Sequence, residues 1–181
     1  MQTIRTTKIL ILLFIIFSLL SCTKIAENEN GIKFSYFSEQ FADLKILRYQ
    51  IPGFDKLTLD QKKLVYYLSQ AGLAGRDIMY DQNYRHNLKI RTALENIYTN
   101  YNGNKSSDDW KKFEVYLKRI WFSNGIHHHY SNDKFNPGFS SEYLEKLLLD
   151  TNTSLDQDAF DVIFSDKDLK KVNLDTSKGL V

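Results

Sequence analysis

The part of the sequence best equipped for chemistry is a row of three histidines, His127, His128 and His129, followed by Tyr130. These are three of the four histidines in the chain. An imidazole ring can donate or accept a hydrogen bond, change charge near neutral pH, or bind a metal. The row lies between two predicted helices, and loops carry binding groups more often than the interiors of helices do. The segment from Asn124 to Tyr130 is therefore the first candidate site.

Three interpretations of this segment stay open at the level of sequence. If the segment is extended, His127 and His129 project to one side and His128 to the other, so two histidines could contribute to one metal. A structural zinc usually needs four protein ligands and a catalytic zinc three, and no nearby spacing supplies the others. Alternatively, the segment lines a cleft and binds a polar ligand, with the candidate residues Asn124, Gly125, His127, His128, His129 and Tyr130. In the third interpretation, it is a structural loop that satisfies its own polar groups.

The common catalytic motifs are absent from the sequence. It has no glycine-rich phosphate loop, and no histidine is followed by glutamate as in the helical zinc-protease motif. Ser123 and Ser131 lie near histidines, but no strand–turn–helix elbow surrounds them. We therefore expect no catalytic residue, no metal ligand and no cofactor in this chain itself.

The first 21 residues have the form of a targeting segment. Arg5 and Lys8 precede an apolar run over 9–20, which is the length of a signal-peptide core and too short for a stable membrane-spanning helix. The run ends at Leu19-Leu20-Ser21-Cys22, which resembles the lipobox of a bacterial lipoprotein signal peptide, and Cys22 is the only cysteine. We expect lipid attachment at Cys22, a solvated tether over 22–37, and a protein held on a membrane of the cell envelope, facing the periplasm or the surface. The alternative is an ordinary secretory signal with an incidental cysteine.

The rest of the chain has the composition of one globular domain. Of its 181 residues, 43% are hydrophobic and 14% aromatic. Without Arg5 and Lys8, the body carries 22 basic and 22 acidic residues. A neutral body gives no electrostatic reason to expect nucleic acid as a partner.

Hydrophobic periodicity predicts a mainly α-helical fold with one short N-terminal strand, drawn from residues 43–51. The Thr58-x-x-Gln61 capping box opens a helix that we expect to run past Ile78 on an apolar face of Leu64, Val65, Leu68, Ala71, Gly72 and Ile78. Gly72 and Gly75 predict close approach of another helix. Further helices are predicted over 88–101, over 108–122 after a cap at Ser106, after Ser140 or Ser141, and over 156–164. Aromatic stripes on these helices are expected to form the core.

Five segments of the chain belong together: 41–49, Leu64-Val65-Tyr66-Tyr67-Leu68, Gly75-Arg76-Asp77-Ile78, 115–130 and Lys134-Phe135-Asn136-Pro137-Gly138-Phe139. The most specific part is Ser123-Asn124-Gly125-Ile126-His127-His128-His129-Tyr130 with the segment that follows it. Together these segments resemble the N-terminal part of bacterial dipeptidyl peptidase III. The resemblance covers nearly all of 38–181.

The resemblance implies a two-lobed zinc metallopeptidase that removes dipeptides from the N-termini of peptides. The family holds its zinc with His-Glu-x-x-Gly-His and with a glutamate of Glu-Glu-x-x-Ala-Asp/Glu, and this chain contains neither a His-Glu nor a Glu-Glu pair. The resemblance thus implies that residues 38–181 are part of the lobe opposite the zinc, truncated before the zinc motif and inactive alone. Implied partners are a peptide substrate and the missing C-terminal portion of the enzyme, which would bring the zinc.

Two further hypotheses come from the residues themselves. The chain could be a lipid-anchored, non-catalytic helical module whose histidine-rich loop binds a peptide or a partner chain. It could also be a non-functional relic, in which case the surface that once packed against a second lobe would be an exposed apolar patch.

Overall fold

The computed structural model describes residues 34–171, and they are mainly helical with a small sheet near the N-terminal end. The signal peptide, Cys22 and most of the predicted tether lie outside the described residues. The strands are β1 (Phe37–Phe41) and β2 (Leu44–Leu47), followed by a 3₁₀ turn (Phe54–Lys56). The α-helices are α1 (Leu59–Ala74), α2 (Arg76–Asn83), α3 (Asn87–Asn100), α4 (Asp108–Ser123), α5 (Ser141–Asp150) and α6 (Gln157–Phe164). The predicted mainly α-helical fold is confirmed.

The N-terminal sheet has two strands where the sequence predicted one. β2 falls within the predicted strand, and β1 pairs with it through a tight turn in which Ala42 adopts a left-handed conformation with φ 48°. The chain divides into two compact units. In the described part, 34–39 with 46–49 form one unit, and 40–45 with 50–171 form the other. In the smaller unit, the guanidinium of Arg48 donates to the main-chain oxygen of Ser35 and lies 5.5 Å from the ring centre of Phe34.

The capping box that opens α1 is confirmed. The Thr58 hydroxyl accepts from the Gln61 N–H at 3.3 Å, and the Gln61 side chain accepts from the Thr58 N–H at 2.9 Å. Both bonds satisfy donors that a helix start leaves free. The helix ends at Ala74 and α2 begins at Arg76, so the single helix predicted through Ile78 is broken at Gly75.

Side-chain caps also fix the starts of α4, α5 and α6. Ser107 accepts from the N–H of Trp110, Ser140 from that of Tyr143, and Asp156 from that of Ala159. The starts predicted for α5 and α6 are confirmed. The cap predicted for α4 at Ser106 is wrong by one residue, because Ser107 is the residue with extended geometry and the capping hydroxyl.

The core lies where α3 and α4 meet α2, α5, α6 and the loop after α4. Its largest fully buried side chains are Trp110, Tyr80, Tyr116, Phe113, Ile90, Leu94, Ile97, Leu117, Ile120, Ile126, Leu144 and Leu147. The predicted stripes of α3 and α4 are therefore confirmed as core. Trp121, at the end of the α4 stripe, is half-buried and donates its indole N–H to Glu95 at 2.7 Å.

The predicted apolar face of α1 is not buried by the described part of the chain. Leu64, Val65 and Leu68 are 59%, 42% and 63% exposed, and no α1 residue is buried. Among the described residues, nothing lies within 4 Å of a side-chain carbon placed on Gly72, so they show no close approach of another helix at this position. Tyr66, Leu59 and Leu73 carry apolar surface around the other sides of the helix, and all three are exposed as well. In residues 34–171, no helix combines the length and hydrophobicity that crossing a membrane requires.

Candidate functional site

The histidine-rich loop begins at a sharp helix end. Asn124 closes α4 in the left-handed conformation with φ 53°, a role that Asn can fill in place of Gly. The next residue, Gly125, has φ 149°, and a side-chain carbon there would lie 2.1 Å from the amide nitrogen of Asn87. Position 125 therefore requires glycine, both because of its backbone conformation and because a side chain has no room there.

A buried asparagine, which the sequence analysis did not identify, holds this turn against α3. Asn87 is 1% exposed at the start of α3. Its Oδ1 accepts from the N–H of Ile126 at 3.0 Å, and its Nδ2 donates to the oxygen of Asn124 at 3.3 Å. Asn83 donates to the same oxygen at 3.2 Å. The only signal in the sequence was the position of Asn87 near a predicted helix start, which is common for asparagine and not specific.

After Ile126, the loop folds back on itself instead of running extended. His127 pairs with Lys134 in an antiparallel bridge, and the His128 N–H donates to the oxygen of Asp133 at 2.7 Å. The ring nitrogen Nδ1 of His128 accepts from the N–H groups of Tyr130 and Ser131, each at 3.2 Å. His128 thus stabilises the turn that reverses the chain.

His127 points into the protein. It is 3% exposed, and its Nε2 lies 2.8 Å from the main-chain oxygen of Asp168, so this nitrogen carries the proton and donates. The ring also meets the edge of Tyr84 at 5.0 Å between ring centres. Burial lowers the pKa of His127, against the opposing effect of its bond to Asp168. His127 is therefore a neutral side chain with a structural hydrogen bond.

His129 and Tyr130 are exposed to solvent, and His128 is partly exposed. The His128 and His129 rings stack at 4.6 Å, the His129 and Tyr130 rings lie 4.3 Å apart, and Phe122 meets His129 at 5.2 Å. The Nδ1 atom of His129 is 3.4 Å from the Ser123 hydroxyl. We call His128, His129, Tyr130 and Phe122 the exposed ring cluster. The segment is not extended, so the condition under which His127 and His129 would share one side is not met: the chain turns after His128.

The second half of the loop is held by a lysine. The Nζ of Lys134 donates to the main-chain oxygens of Val162 and Ser165, at 2.8 and 2.6 Å, and to that of Lys167. These oxygens belong to the end of α6 and the residues after it, where helix carbonyls lack partners and a cation is favourable. Burial lowers the pKa of Lys134. Together His127 and Lys134 attach the segment 165–171 to the loop.

The site residues divide into two groups with different chemistry. Asn124, Gly125 and His127 form the inner group, which contacts the body of the protein. The exposed ring cluster is the outer group, which can stack on a flat group or exchange hydrogen bonds with a ligand. Within residues 34–171, no group of three or more His, Cys, Asp or Glu side chains is arranged to hold a metal ion. A role for the loop as a cleft wall stays a prediction.

Comparison with known proteins gives no match, either to a protein-family model or to a curated protein. The resemblance to dipeptidyl peptidase III stays a prediction.

Proposed function

We propose that this chain is a non-catalytic part of a dipeptidyl peptidase III-type zinc metallopeptidase, which removes dipeptides from peptide N-termini. The zinc and the general base would lie on a different polypeptide segment, since the family motifs have no counterpart in the sequence. In this proposal, the described helical region packs against that segment. Cys22 attaches the assembly to a membrane of the cell envelope.

The exposed surface of α1 is the observation that carries this proposal. From Leu64 to Gly75 the sequence has twelve residues without a charge, and its large apolar side chains lie on all sides of the helix. A helix that is apolar all round is usually enclosed by protein or lipid. Exposed apolar surface of this kind typically marks an interaction site. A partner segment that encloses α1 would bury it.

The test is complementation. The 181-residue chain is assayed alone with zinc and a dipeptidyl-naphthylamide, and then with a polypeptide that carries the two zinc motifs of a dipeptidyl peptidase III. We expect background turnover for the chain alone and zinc-dependent turnover for the mixture. Turnover by the chain alone with zinc would contradict the proposal, as would a mixture with no activity.

A matched pair of variants tests whether α1 mediates the association. Leu68→Glu places a charge on α1, where Leu68 is 63% exposed, and should reduce complementation at least tenfold. Leu149→Glu makes the same change on α5, where the side chain is 82% exposed, and should leave complementation unchanged. Equal effects of the two variants would exclude α1 as the contact surface.

The exposed ring cluster supports a second candidate, a lipid-anchored module that binds a peptide or partner chain without catalysis. Aromatic and imidazole rings at the surface can stack on planar groups and form hydrogen bonds. Peptide binding should then be saturable and should be lost in the double variant His129→Ala, Tyr130→Ala. His127 is left unchanged because it is buried and structural, and His128 because its ring accepts from two main-chain N–H groups of the turn. Absence of saturable binding would count against this candidate.

The membrane attachment has its own test. Labelled palmitate should be incorporated by the full chain in bacteria and not by Cys22→Ser. Equal labelling of both proteins, or none of either, would contradict lipid attachment at Cys22.

A further inference from the structure

A polar groove separate from the histidine-rich loop lies between residues 88–96 of α3 and the loop that joins α5 to α6. Its volume is about 650 Å³, within the range of about 300–1,000 Å³ typical of ligand pockets. Leu88, Ala93 and Leu155 supply its apolar surface. The remaining lining residues are Lys89, Thr92, Asn96, Asn152, Thr153, Ser154 and Asp156.

The main chain along one wall of this groove has hydrogen-bonding groups without a partner among the described residues. The Thr153 N–H donates to Leu148, and the Asp156 oxygen accepts from Phe160. Between them, Ser154 and Leu155 form no hydrogen bond with any described residue. Each main-chain N–H and C=O needs a partner in protein or water. Main-chain groups of this kind can pair with an extended chain, as those at the edge of a sheet do.

The side chains of the groove suit an uncharged ligand with amide groups. Lys89 and Asp156, its two charged lining residues in the described structure, form an ion pair at 2.6 Å with each other. Asn96 donates to the Thr153 hydroxyl at 2.7 Å, which fixes the two walls relative to one another. The exposed amide of Asn152 has no partner among the described residues. No aromatic side chain lines the groove in this part of the chain, so it offers no surface for stacking a base or sugar.

We propose that this groove binds an extended, uncharged polypeptide segment, which pairs with the main chain of Ser154 and Leu155 and contacts Asn152 and Thr92 with its amides. Small side chains of the bound segment would face Ala93. The groove needs neither zinc nor the surface of α1, so the inference stands independently of the proposed peptidase function.

The test is an NMR titration of the full chain, in mild detergent, with acetyl-tetra-alanine amide as the probe. We expect saturable shifts of the amide signals of 92–96 and 152–156, with other signals unchanged. A second probe with N-methylated peptide bonds lacks main-chain donors and should bind at least tenfold more weakly. Absence of saturable shifts, or equal binding of both probes, would overturn the proposal.

Two threonines of α3 provide a matched pair of variants. Thr92 and Thr99 are both exposed, and both hydroxyls donate to the main-chain oxygen four residues earlier, at 2.8 and 2.9 Å. Thr92 lines the groove and Thr99 does not. Thr92→Arg should reduce affinity for the probe at least tenfold, and Thr99→Arg should leave it unchanged. An unchanged affinity in Thr92→Arg would also overturn the proposal.

Discussion

His127 and Asp168 lie 41 residues apart in the chain, and the ring nitrogen of the first donates to the main-chain oxygen of the second at 2.8 Å. The bond joins the histidine-rich loop to the segment after α6. It also requires the proton on Nε2, because a carbonyl oxygen can only accept. The Nδ1 atom is buried without a partner among the described residues, so a proton added there would be an unsatisfied charge.

Protonation of His127 should make the folded protein less stable in acid. The folded pKa of His127 is lowered by burial, whereas the unfolded side chain titrates near about 6.5. The unfolded state therefore binds the proton first, and stability that is complete above about pH 6.5 decreases as the pH falls below it. The slope from this one group is at most about 1.4 kcal/mol per pH unit. Urea unfolding between pH 5 and 8 measures it.

The control for this effect is a pair of glutamine variants. His127→Gln cannot titrate and should flatten the profile around pH 6, even if its stability at pH 8 is lower. His129→Gln changes an exposed ring and should keep the original slope. If His127→Gln retained the slope, another group would be responsible.

Gly125→Ala should destabilise the fold because the added carbon has no space. It would lie 2.1 Å from the Asn87 amide nitrogen, in a chain segment with φ 149°. We expect a loss of at least about 2 kcal/mol in the free energy of unfolding, from strain and from the displaced buried asparagine. Gly72→Ala is the control, since Gly72 lies within α1 with no described residue outside the helix near it. It should be neutral or stabilise by up to about 1 kcal/mol. Equal losses in the two variants would refute this view of the turn.

Lys134→Met should loosen the segment after α6. The substitution removes the donor that three main-chain oxygens share, two of them those of Val162 and Ser165. Each bond to a charged donor contributes about 1.5–3 kcal/mol, so we expect a loss of at least about 2 kcal/mol. The main-chain amides of 165–171 should exchange hydrogen faster in this variant than in the unsubstituted protein. Lys146→Met, at an exposed position of α5, should change neither property. Unchanged protection in Lys134→Met would contradict the assignment.

Removing the hydroxyl of Tyr116 and removing that of Tyr84 should have different effects on the stability of the protein. The Tyr116 hydroxyl is buried with no partner among the described residues, and burial raises its pKa. Tyr116→Phe should therefore be neutral or stabilise by about 1 kcal/mol, because it removes an unsatisfied polar group. Tyr84 donates to the Asp168 carboxylate at 2.5 Å, so Tyr84→Phe should lose about 1.5–3 kcal/mol. Thermal and urea unfolding measure the stability of both variants. A larger loss of stability in Tyr116→Phe than in Tyr84→Phe would contradict the prediction.

Leu117 and Leu68 differ in burial, so replacing each by alanine should cost different amounts of stability. Leu117 is fully buried in α4, whereas Leu68 of α1 is 63% exposed. Leu117→Ala should cost about 2–5 kcal/mol, and Leu68→Ala at most about 0.5 kcal/mol. A large loss in Leu68→Ala would show that α1 is already covered in the isolated chain.

Local patterns predicted the helix starts well. The capping hydroxyls of Thr58 and Ser140 act on N–H groups three residues away, so the interaction is contained in a short stretch of sequence. The apolar stripes of α3 and α4 were also predictable. Leu94 and Ile97 on α3, and Phe113 on α4, each belong to a series of apolar residues at helical spacing with polar residues between them. The apolar residues of α1 encircle the helix, so spacing alone could not assign one buried face.

The arrangement of the candidate site was less predictable than the elements around it. The sequence placed three histidines together, but their directions depend on the turn that His128 itself stabilises through Tyr130 and Ser131. The partner of His127 is 41 residues away in a segment without a recognisable motif. Asn87, which holds the turn from α3, is one of many asparagines in the chain. Such contacts depend on tertiary packing, which local patterns do not encode.

Both tryptophans of the chain lie on α4, and they differ in their surroundings. Trp110 is 2% exposed, whereas Trp121 is half-buried and borders a depression together with Leu73 from the end of α1. Intrinsic fluorescence therefore offers two optical reporters in one chain. Emission from Trp110 follows denaturation of the interior, while a blue shift from Trp121 would signal that a binding partner has excluded solvent near α1. Replacing either indole by phenylalanine separates the two signals without any attached dye.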